Sequence, residues 1–119
     1  MTTERQAVGA YGERVAAQHL RDKGLVILNQ NWRCAEGEID LVLRDGNDLV
    51  FCEVKTRRTI SYGSPAESVT VSKVRKLRHL AHCWLAETGL HAPTVRFDVV
   101  EVIPQPQGPA DVRHIPSAF

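Results

Sequence analysis

The sequence lacks any apolar run that approaches the roughly 20 residues needed to span a bilayer. Its first residues, Met-Thr-Thr-Glu-Arg, also lack the apolar core of a secretory signal peptide. We therefore expect a protein that is neither exported nor embedded in a membrane.

Cysteine is scarce, and the spacing of the cysteines gives no indication of disulfide bonds. The three cysteines, Cys34, Cys52 and Cys83, are widely separated, and no two of them form a Cys-x-x-Cys pair. An odd number of scattered thiols does not indicate a disulfide framework, which is typical of small exported domains. The pattern fits a reducing compartment, so we expect a cytoplasmic protein.

The chain also lacks a charge excess, with 15 Lys and Arg against 14 Asp and Glu. No global positive field would draw it onto a polyanion, so any nucleic-acid binding has to depend on local groups. A composition with 43% hydrophobic and 24% charged residues excludes disorder, collagen and coiled coil. The 119 residues fit one domain, residues 1–119, with residues 104–119 as a Pro-rich C-terminal extension.

Hydrophobic periodicity and turn residues predict an α-β-β-β-α-β order, an α/β fold in which helices flank a mixed central sheet. The predicted helices are residues 4–23 and a segment from Thr70 or Ser72 to Thr88, followed by Gly89 as its stop. The predicted strands are residues 25–32, 38–44, 49–56 and 94–103, and residues 112–115 can add a short edge strand. Residues 57–66 have turn chemistry and are predicted to form a loop.

The central Gly46-Asn47 pair indicates a tight hairpin and therefore fixes the register of the strands on either side. Continuing that register along both strands places Asp40 opposite Glu53 and Glu38 opposite Lys55. Strand alternation puts Glu38, Asp40 and Val42 on one face and Ile39, Leu41 and Leu43 on the other.

Two carboxylates directly opposite each other on a sheet repel by about 0.2–1 kcal/mol. A positive group is therefore expected between Asp40 and Glu53. The candidates are the Lys55 ammonium and a divalent cation, which prefers hard oxygen ligands, and we expect both. The alternative is a solvated hairpin face on which acidic and basic side chains satisfy one another.

Acidic and basic residues are segregated along this part of the chain. Residues 36–53 carry six acidic residues against Arg44 alone, whereas residues 55–78 carry seven basic residues against Glu67 alone. An acidic centre bordered by cations suits a metal-dependent site that acts on a phosphodiester. For the basic face of the second helix, plain solvation is the alternative.

Two segments of the hairpin, Gly37-Glu38-Ile39-Asp40 and Glu53-Val54-Lys55, resemble the split motif of the PD-(D/E)XK nuclease superfamily. Other segments resemble, in chain order, the YraN-like family of small bacterial proteins: Gly12-Glu13, Asn31-Trp32-Arg33, Phe51 to Arg57, Arg96 to Val100 and His114 to Phe119. The resemblance covers nearly the whole chain. It implies a restriction-endonuclease-like fold close to that of the archaeal Holliday junction resolvases.

The resemblance implies a role for each matching residue. Asp40 and Glu53 are expected to bind Mg²⁺ or Mn²⁺, with the Val54 carbonyl as a third ligand. Lys55 is expected to position the attacking water or to stabilise the charged phosphorane, and Glu13 to be an outer catalytic carboxylate. The residues predicted to contact nucleic-acid phosphates are Arg57, Arg58, Lys73, Arg75 and Lys76.

The activity implied is that of a metal-dependent nuclease that hydrolyses phosphodiester bonds in DNA, including branched or structured DNA. The two-fold symmetry of the resolvases further implies a homodimer. The alternative is a catalytically inactive nucleic-acid-binding or assembly protein of the same fold, and a protein-interaction module is the third hypothesis. Dependence on a divalent ion distinguishes the enzyme from both.

Three further groups can be interpreted from the sequence. On the second helix, His79 and Cys83 lie one turn apart near His82, but no fourth ligand follows at a customary spacing, so zinc is not expected. Asp98 shares a strand face with Arg96 and is either an acid supporting the site or part of a structural salt bridge. The tryptophans Trp32 and Trp84 are predicted to belong to the core.

Overall fold

A computed structural model of the chain describes residues 4–57 and 70–119. The two helices are α1 (Glu4–Asp22) and α2 (Val71–Thr88), and the five strands are β1 (Val26–Cys34), β2 (Gly37–Asp45), β3 (Asp48–Thr56), β4 (Thr94–Ile103) and β5 (Asp111–Ile115). Every predicted helix and strand is present, with ends within two residues of the prediction. The predicted loop at residues 57–66 lies outside the described residues apart from its first position.

The five strands form one mixed sheet in the order β1-β2-β3-β4-β5. Strands β3 and β4 are parallel, and the other neighbours are antiparallel. A parallel pair needs a long crossover connection, and α2 lies between these two strands in the sequence. The predicted α/β class with a helix-flanked mixed sheet is confirmed. In the part of the chain described, neither helix is long and apolar enough to cross a membrane.

Each face of the sheet buries its own apolar cluster under one helix. On the α1 face, the cluster contains Ala16, Ala17, Leu20, Leu41, Leu43, Val50, Cys52, Val100 and Val102 among others. On the α2 face, it contains Ile39, Val42, Leu49, Phe51, Leu80, Ala81, Trp84 and Phe97. Trp84 is almost fully buried and meets the Phe51 ring edge-on at 5.7 Å between centroids. Trp32 packs against the same cluster.

Helix α2 begins and ends at the residues that the sequence predicts. The Thr70 hydroxyl accepts a hydrogen bond from the Lys73 amide at 3.2 Å, which satisfies one of the free N–H groups of the first turn. At the other end Gly89 adopts a left-handed φ of 69° and its N–H donates to the Leu85 carbonyl. These caps set where α2 begins and ends.

Strand β2 departs from regular alternation at Asp40. Leu41 belongs to the α1-face cluster, but Ile39 and Val42 both belong to the α2-face cluster. Across from Asp40 in β1, Asn31 has a left-handed φ of 50°. The prediction that Ile39 shares a face with Leu41 and Leu43 is therefore wrong, because the alternation of β2 is interrupted at Asp40, opposite Asn31.

Helix α1 approaches the end of β3 closely at Gly12. A Cβ atom on Gly12 would overlap the Thr56 hydroxyl, so only glycine allows this approach. The next residue, Glu13, is thereby held beside the same end of the sheet. A contact between two elements far apart in sequence thus positions one of the predicted site residues.

Asp98 lies at the centre of a buried polar network on β4. Its carboxylate is fully buried, accepts two hydrogen bonds from Arg96 at 2.9 and 3.0 Å, and lies 2.7 Å from His114 Nε2. The Ser117 amide also donates to it. Of the two alternatives for Asp98, the structure shows the structural salt bridge, and this network ties the segment after β5 to the sheet.

Candidate functional site

The β2–β3 hairpin has the predicted register, but its backbone pairing stops one step before the predicted site. Pairs run from Asp45–Asp48 to Leu41–Cys52. At the next position the Asp40 side chain, not the backbone, accepts the Val54 N–H, at 2.8 Å from N to Oδ2. Asp40 and Glu53 are therefore not paired by backbone hydrogen bonds. The two strands separate there, and the Asp40 carboxylate occupies the opening.

Three other carboxylates lie near Asp40. Burial is the main influence that raises the pKa of Asp40 to about 6, and the negative charges of Glu13, Glu53 and Glu38 raise it further. The hydrogen bond from Val54 opposes this rise. The structure thus brings together the three carboxylates predicted to be catalytic, Glu13 from α1, Asp40 from β2 and Glu53 from β3.

The positive group that contacts Glu53 comes from α2. Lys73 Nζ lies 3.0 Å from Glu53 Oε1, and the Glu53 side chain is 18% exposed. The pKa of Lys73 is raised mainly by the hydrogen bond to Glu53. The negative charge of Asp40 also raises it. Lys73 therefore places a positive group beside Glu53, a position for which the sequence predicts the Lys55 ammonium and a divalent cation. Nothing in the spacing of residues 53 and 73 predicts this pair, because it depends on how α2 packs on the sheet.

Lys55 lies on the same side of β3 as Glu53 and next to Lys73. Burial and the neighbouring Lys73 lower the pKa of Lys55, while the negative charge of Glu53 opposes that change. Two lysines and two carboxylates therefore converge where β2 and β3 separate. The predicted grouping of Asp40, Glu53 and Lys55 is present, with Lys73 as an additional member that sequence reasoning assigned only to phosphate contacts.

The donor set at this opening fits a hard divalent cation. In a strand, the N–H and C=O of one residue project to the same side. Because the Val54 N–H points to Asp40, the Val54 carbonyl projects to that side as well. Carboxylate and carbonyl oxygens are the ligands that Mg²⁺ and Mn²⁺ prefer, and a cation would offset the negative charges of Glu13, Glu53 and Glu38 that act on Asp40.

A groove of about 730 Å³ runs beside this opening, between α1 and the β1–β2 hairpin. Its lining includes Glu13, Asn31, Arg33 and Glu38. The negative charges of two of these side chains, Glu13 and Glu38, raise the pKa of Asp40. The groove therefore opens Glu13 and Glu38, the carboxylates in its lining, to solvent and ions.

The predicted phosphate-binding residues have different surroundings. Arg75 and Lys76 are exposed on α2, as a contact surface requires. Arg57, by contrast, is 21% exposed and its Nε lies 3.0 Å from Oε2 of the buried Glu101. Arg58 lies outside the described residues. The basic surface beside the acidic opening thus consists chiefly of α2 side chains.

The raised pKa of Asp40 has a consequence for stability that can be measured without any substrate. A carboxyl whose pKa is about 6 when folded and about 3.9 when unfolded makes the folded state less stable as pH rises through that interval. We expect Asp40→Asn, which keeps an acceptor for Val54, to raise the free energy of unfolding by about 2–3 kcal/mol at pH 7.5 in EDTA. At pH 4 the two proteins should be equally stable. Denaturant unfolding at both pH values tests this, and parallel pH curves would contradict it.

Comparison with known proteins agrees with the resemblance of the motifs. Residues 12–102 match the family described as Uncharacterised protein family UPF0102. A UPF0102 protein of Frankia alni is 56% identical over 116 residues, covering 97% of this chain and 96% of the relative. A UPF0102 protein of Nocardioides sp. is 50% identical over 111 residues, covering 93% and 90% of the two chains. One of Frankia casuarinae is 52% identical over 115 residues, covering 97% and 98%. The YraN-like resemblance is thereby confirmed, and the chain belongs to the UPF0102 family.

Proposed function

We propose that this protein is a metal-dependent nuclease that hydrolyses phosphodiester bonds in DNA. The observation that carries the proposal is the convergence of Asp40, Glu53 and two lysine ammonium groups where β2 and β3 separate. Acidic ligands for a cation and fixed positive charges for a phosphate are the two requirements of phosphodiester hydrolysis, and here they lie side by side.

Asp40, Glu53 and the Val54 carbonyl are the groups that would hold Mg²⁺ or Mn²⁺. When bound, such an ion lowers the pKa of a water ligand and offsets negative charge on the phosphate oxygens. The backbone of Val54 fixes the orientation of the Asp40 carboxylate through the hydrogen bond of 2.8 Å. Glu13, held in place by the Gly12 contact with Thr56, adds an outer carboxylate that can orient water.

The lysines have separate roles. Lys55 is partly withdrawn from solvent, and the lowered pKa of its ammonium eases proton exchange with a nearby water. Its positive charge also lies where negative charge grows on the phosphorane. Lys73 neutralises Glu53 in the ion-free protein. It stands at the start of α2, whose exposed Arg75 and Lys76 extend positive charge away from the acidic centre.

The basic surface of α2 fits the phosphate backbone of a duplex, which supplies affinity without sequence preference. The resemblance to resolvases favours branched or structured DNA and a homodimeric assembly. Both refine the proposal, and the cleavage panel described below tests the preference for branched DNA.

A non-catalytic DNA-binding protein is the second candidate function. The ion pair between Lys73 and Glu53 favours it, because an internal ammonium already offsets the charge that a metal ion would offset. Such a protein would bind DNA in a salt-dependent manner and would not require a divalent ion.

A cleavage panel separates the two functions. Single-stranded, duplex, flapped and four-way DNA would each be incubated with the protein in Mg²⁺, in Mn²⁺ and in EDTA. A nuclease gives products only with an ion, and a resolvase-like nuclease gives them preferentially on the branched substrates. Salt-dependent binding to these substrates without cleavage under either ion would overturn the nuclease and support the binding protein.

A further inference from the structure

A second group of metal-binding side chains lies where α2 crosses the turn between β1 and β2. His79 Nε2 is 2.9 Å from Glu36 Oε2, Cys83 Sγ is 3.3 Å from the same oxygen, and Cys83 Sγ is 3.6 Å from His79 Nε2. Within residues 4–57 and 70–119, these are the three side chains whose potential ligand atoms all lie within 4.8 Å of one another.

The three distances match one face of a tetrahedral zinc site. Zinc lies about 2.0 Å from nitrogen or oxygen ligands and about 2.3 Å from sulfur. At tetrahedral angles, these bond lengths separate nitrogen from oxygen by about 3.3 Å and sulfur from either by about 3.6 Å. Each observed separation is within a few tenths of an ångström of these values. The cluster needs little rearrangement to accept an ion.

The fold explains why these side chains meet. His79 and Cys83 are four residues apart on one face of α2, a spacing that two ligands of one ion share in helical sites. Helix α2 lies directly over the hairpin turn, since a Cβ atom on Gly37 would lie 3.2 Å from Lys76 Cε and 3.3 Å from Leu80 Cδ1. Glu36, the residue before Gly37, is thereby directed at the helix.

Cys34, on the same turn, is the candidate for a fourth ligand, although it does not belong to the group whose ligand atoms all lie within 4.8 Å of one another. It ends β1, pairs with Gly37 across the turn, and packs against the α2-face cluster. The charge of Cys34 also acts on the Cys83 thiol. The pKa of Cys83 is raised first by the hydrogen bond to Glu36, then by burial, and then by the charges of Glu36 and Cys34.

We propose that Cys34, Glu36, His79 and Cys83 bind one zinc ion that fastens α2 to the β1–β2 turn. Two thiolates, an imidazole and a carboxylate suit zinc and not Mg²⁺, which prefers oxygen ligands only. With four protein ligands the site is closed, which is typical of zinc in a structural role. The sequence indicates the helical pair His79 and Cys83 but not the hairpin ligands, which lie more than 40 residues away, and zinc is therefore not expected from it. This proposal does not depend on the nuclease activity.

Competition with a chromogenic zinc chelator in a non-thiol reductant measures the binding. One ion per chain should bind in the parent protein and also in Asp40→Asn, which removes a ligand from the other proposed site. His79→Gln and Cys83→Ser should weaken binding by about 100-fold or more. His82→Gln is the matched control, since His82 lies three residues along the helix and lines a different surface pocket with Leu85 and Leu90. Its affinity should equal that of the parent.

Cobalt substitution tests the geometry and the role of Cys34. Bound Co²⁺ should give the intense visible bands of a tetrahedral site and a thiolate-to-cobalt transition in the near ultraviolet. Cys34→Ser should halve the thiolate transition, because one of two sulfur ligands is lost. An unchanged spectrum in Cys34→Ser would remove Cys34 from the site.

Thermal unfolding adds a readout of the structural role. Zinc at 100 times its dissociation constant should raise the melting temperature of the parent by about 10 °C. The His79→Gln protein should show no comparable rise. The proposal is overturned if no stoichiometric zinc binds, or if His79→Gln and Cys83→Ser bind zinc as tightly as the parent.

Discussion

Asp40→Asn should lower the rate of DNA cleavage by about 10³-fold or more while leaving DNA binding in EDTA nearly unchanged. The variant keeps the acceptor for the Val54 amide but loses the negative charge that would hold the cation. The phosphate contacts proposed for the exposed Arg75 and Lys76 would not use the Asp40 charge. Single-turnover cleavage and equilibrium binding of the best substrate in the panel measure the two effects separately.

The stability expected of this variant makes the test sharper. Since Asp40→Asn is expected to unfold less readily than the parent at pH 7.5, a loss of cleavage cannot be assigned to unfolding. Asp111→Asn, at the exposed first position of β5, is a matched control that removes one strand carboxylate and should cleave like the parent. Equal cleavage by Asp40→Asn and the parent, prepared in parallel, would refute the catalytic assignment.

Replacing Asp98 with alanine should cost about 3–5 kcal/mol of folding free energy. Burial disfavours the charged form of Asp98, but hydrogen bonds from His114, Arg96 and the Ser117 amide outweigh it, so the pKa of Asp98 is lowered. The carboxylate is therefore ionised at neutral pH and holds three partners. Its removal takes the acceptor from the nearly buried His114 side chain and leaves Arg96 with only the half-exposed Asp45 and Asp48 as partners, which is costly. The cost is a large fraction of the total stability of about 5–15 kcal/mol that is typical of a domain.

Denaturant unfolding at pH 7 measures this loss. If Asp98→Ala does not accumulate as folded protein, Asp98→Asn, which keeps the shape and part of the hydrogen bonding, should remain folded with a smaller loss. Asp45→Ala is the comparison, because Asp45 also contacts Arg96 at 3.0 Å but is 44% exposed. An exposed ion pair contributes about 1 kcal/mol or less. A loss in Asp98→Ala no larger than that in Asp45→Ala would show that the network does not stabilise the fold. The stabilisation by Asp98 should also decline as pH falls below about 4, because the unfolded chain then gains a proton on this carboxyl while the folded state still holds it ionised.

Local signals predict most of this fold. The Gly46-Asn47 turn fixes the hairpin register, and the observed pairs follow it as far as Leu41 and Cys52. Thr70 and Gly89 define the ends of α2 because a side-chain cap and a left-handed residue act within one helical turn. These features depend on residues close together in sequence, so the sequence alone suffices.

The details of the site depend on contacts between distant segments. Asp40 turns into the plane of the sheet because β2 and β3 separate, and strict alternation cannot predict that step. Lys73 reaches Glu53, and Glu36 reaches His79, only because α2 packs across the strands in one particular place. Periodicity predicts which face of a helix is buried, but not which residue of the sheet each side chain meets.

The Val54 N–H donates to the Asp40 side chain instead of to a backbone carbonyl, and this hydrogen bond has a practical use. Its acceptor is the Asp40 carboxylate, whose pKa of about 6 makes it change charge close to neutral pH. In a nitrogen-15 spectrum, the Val54 amide resonance should therefore shift when Asp40 gains or loses its proton. Its position follows the protonation of the Asp40 carboxylate, so binding of an ion at the opening between β2 and β3 can be followed at one peak without dyes or turnover.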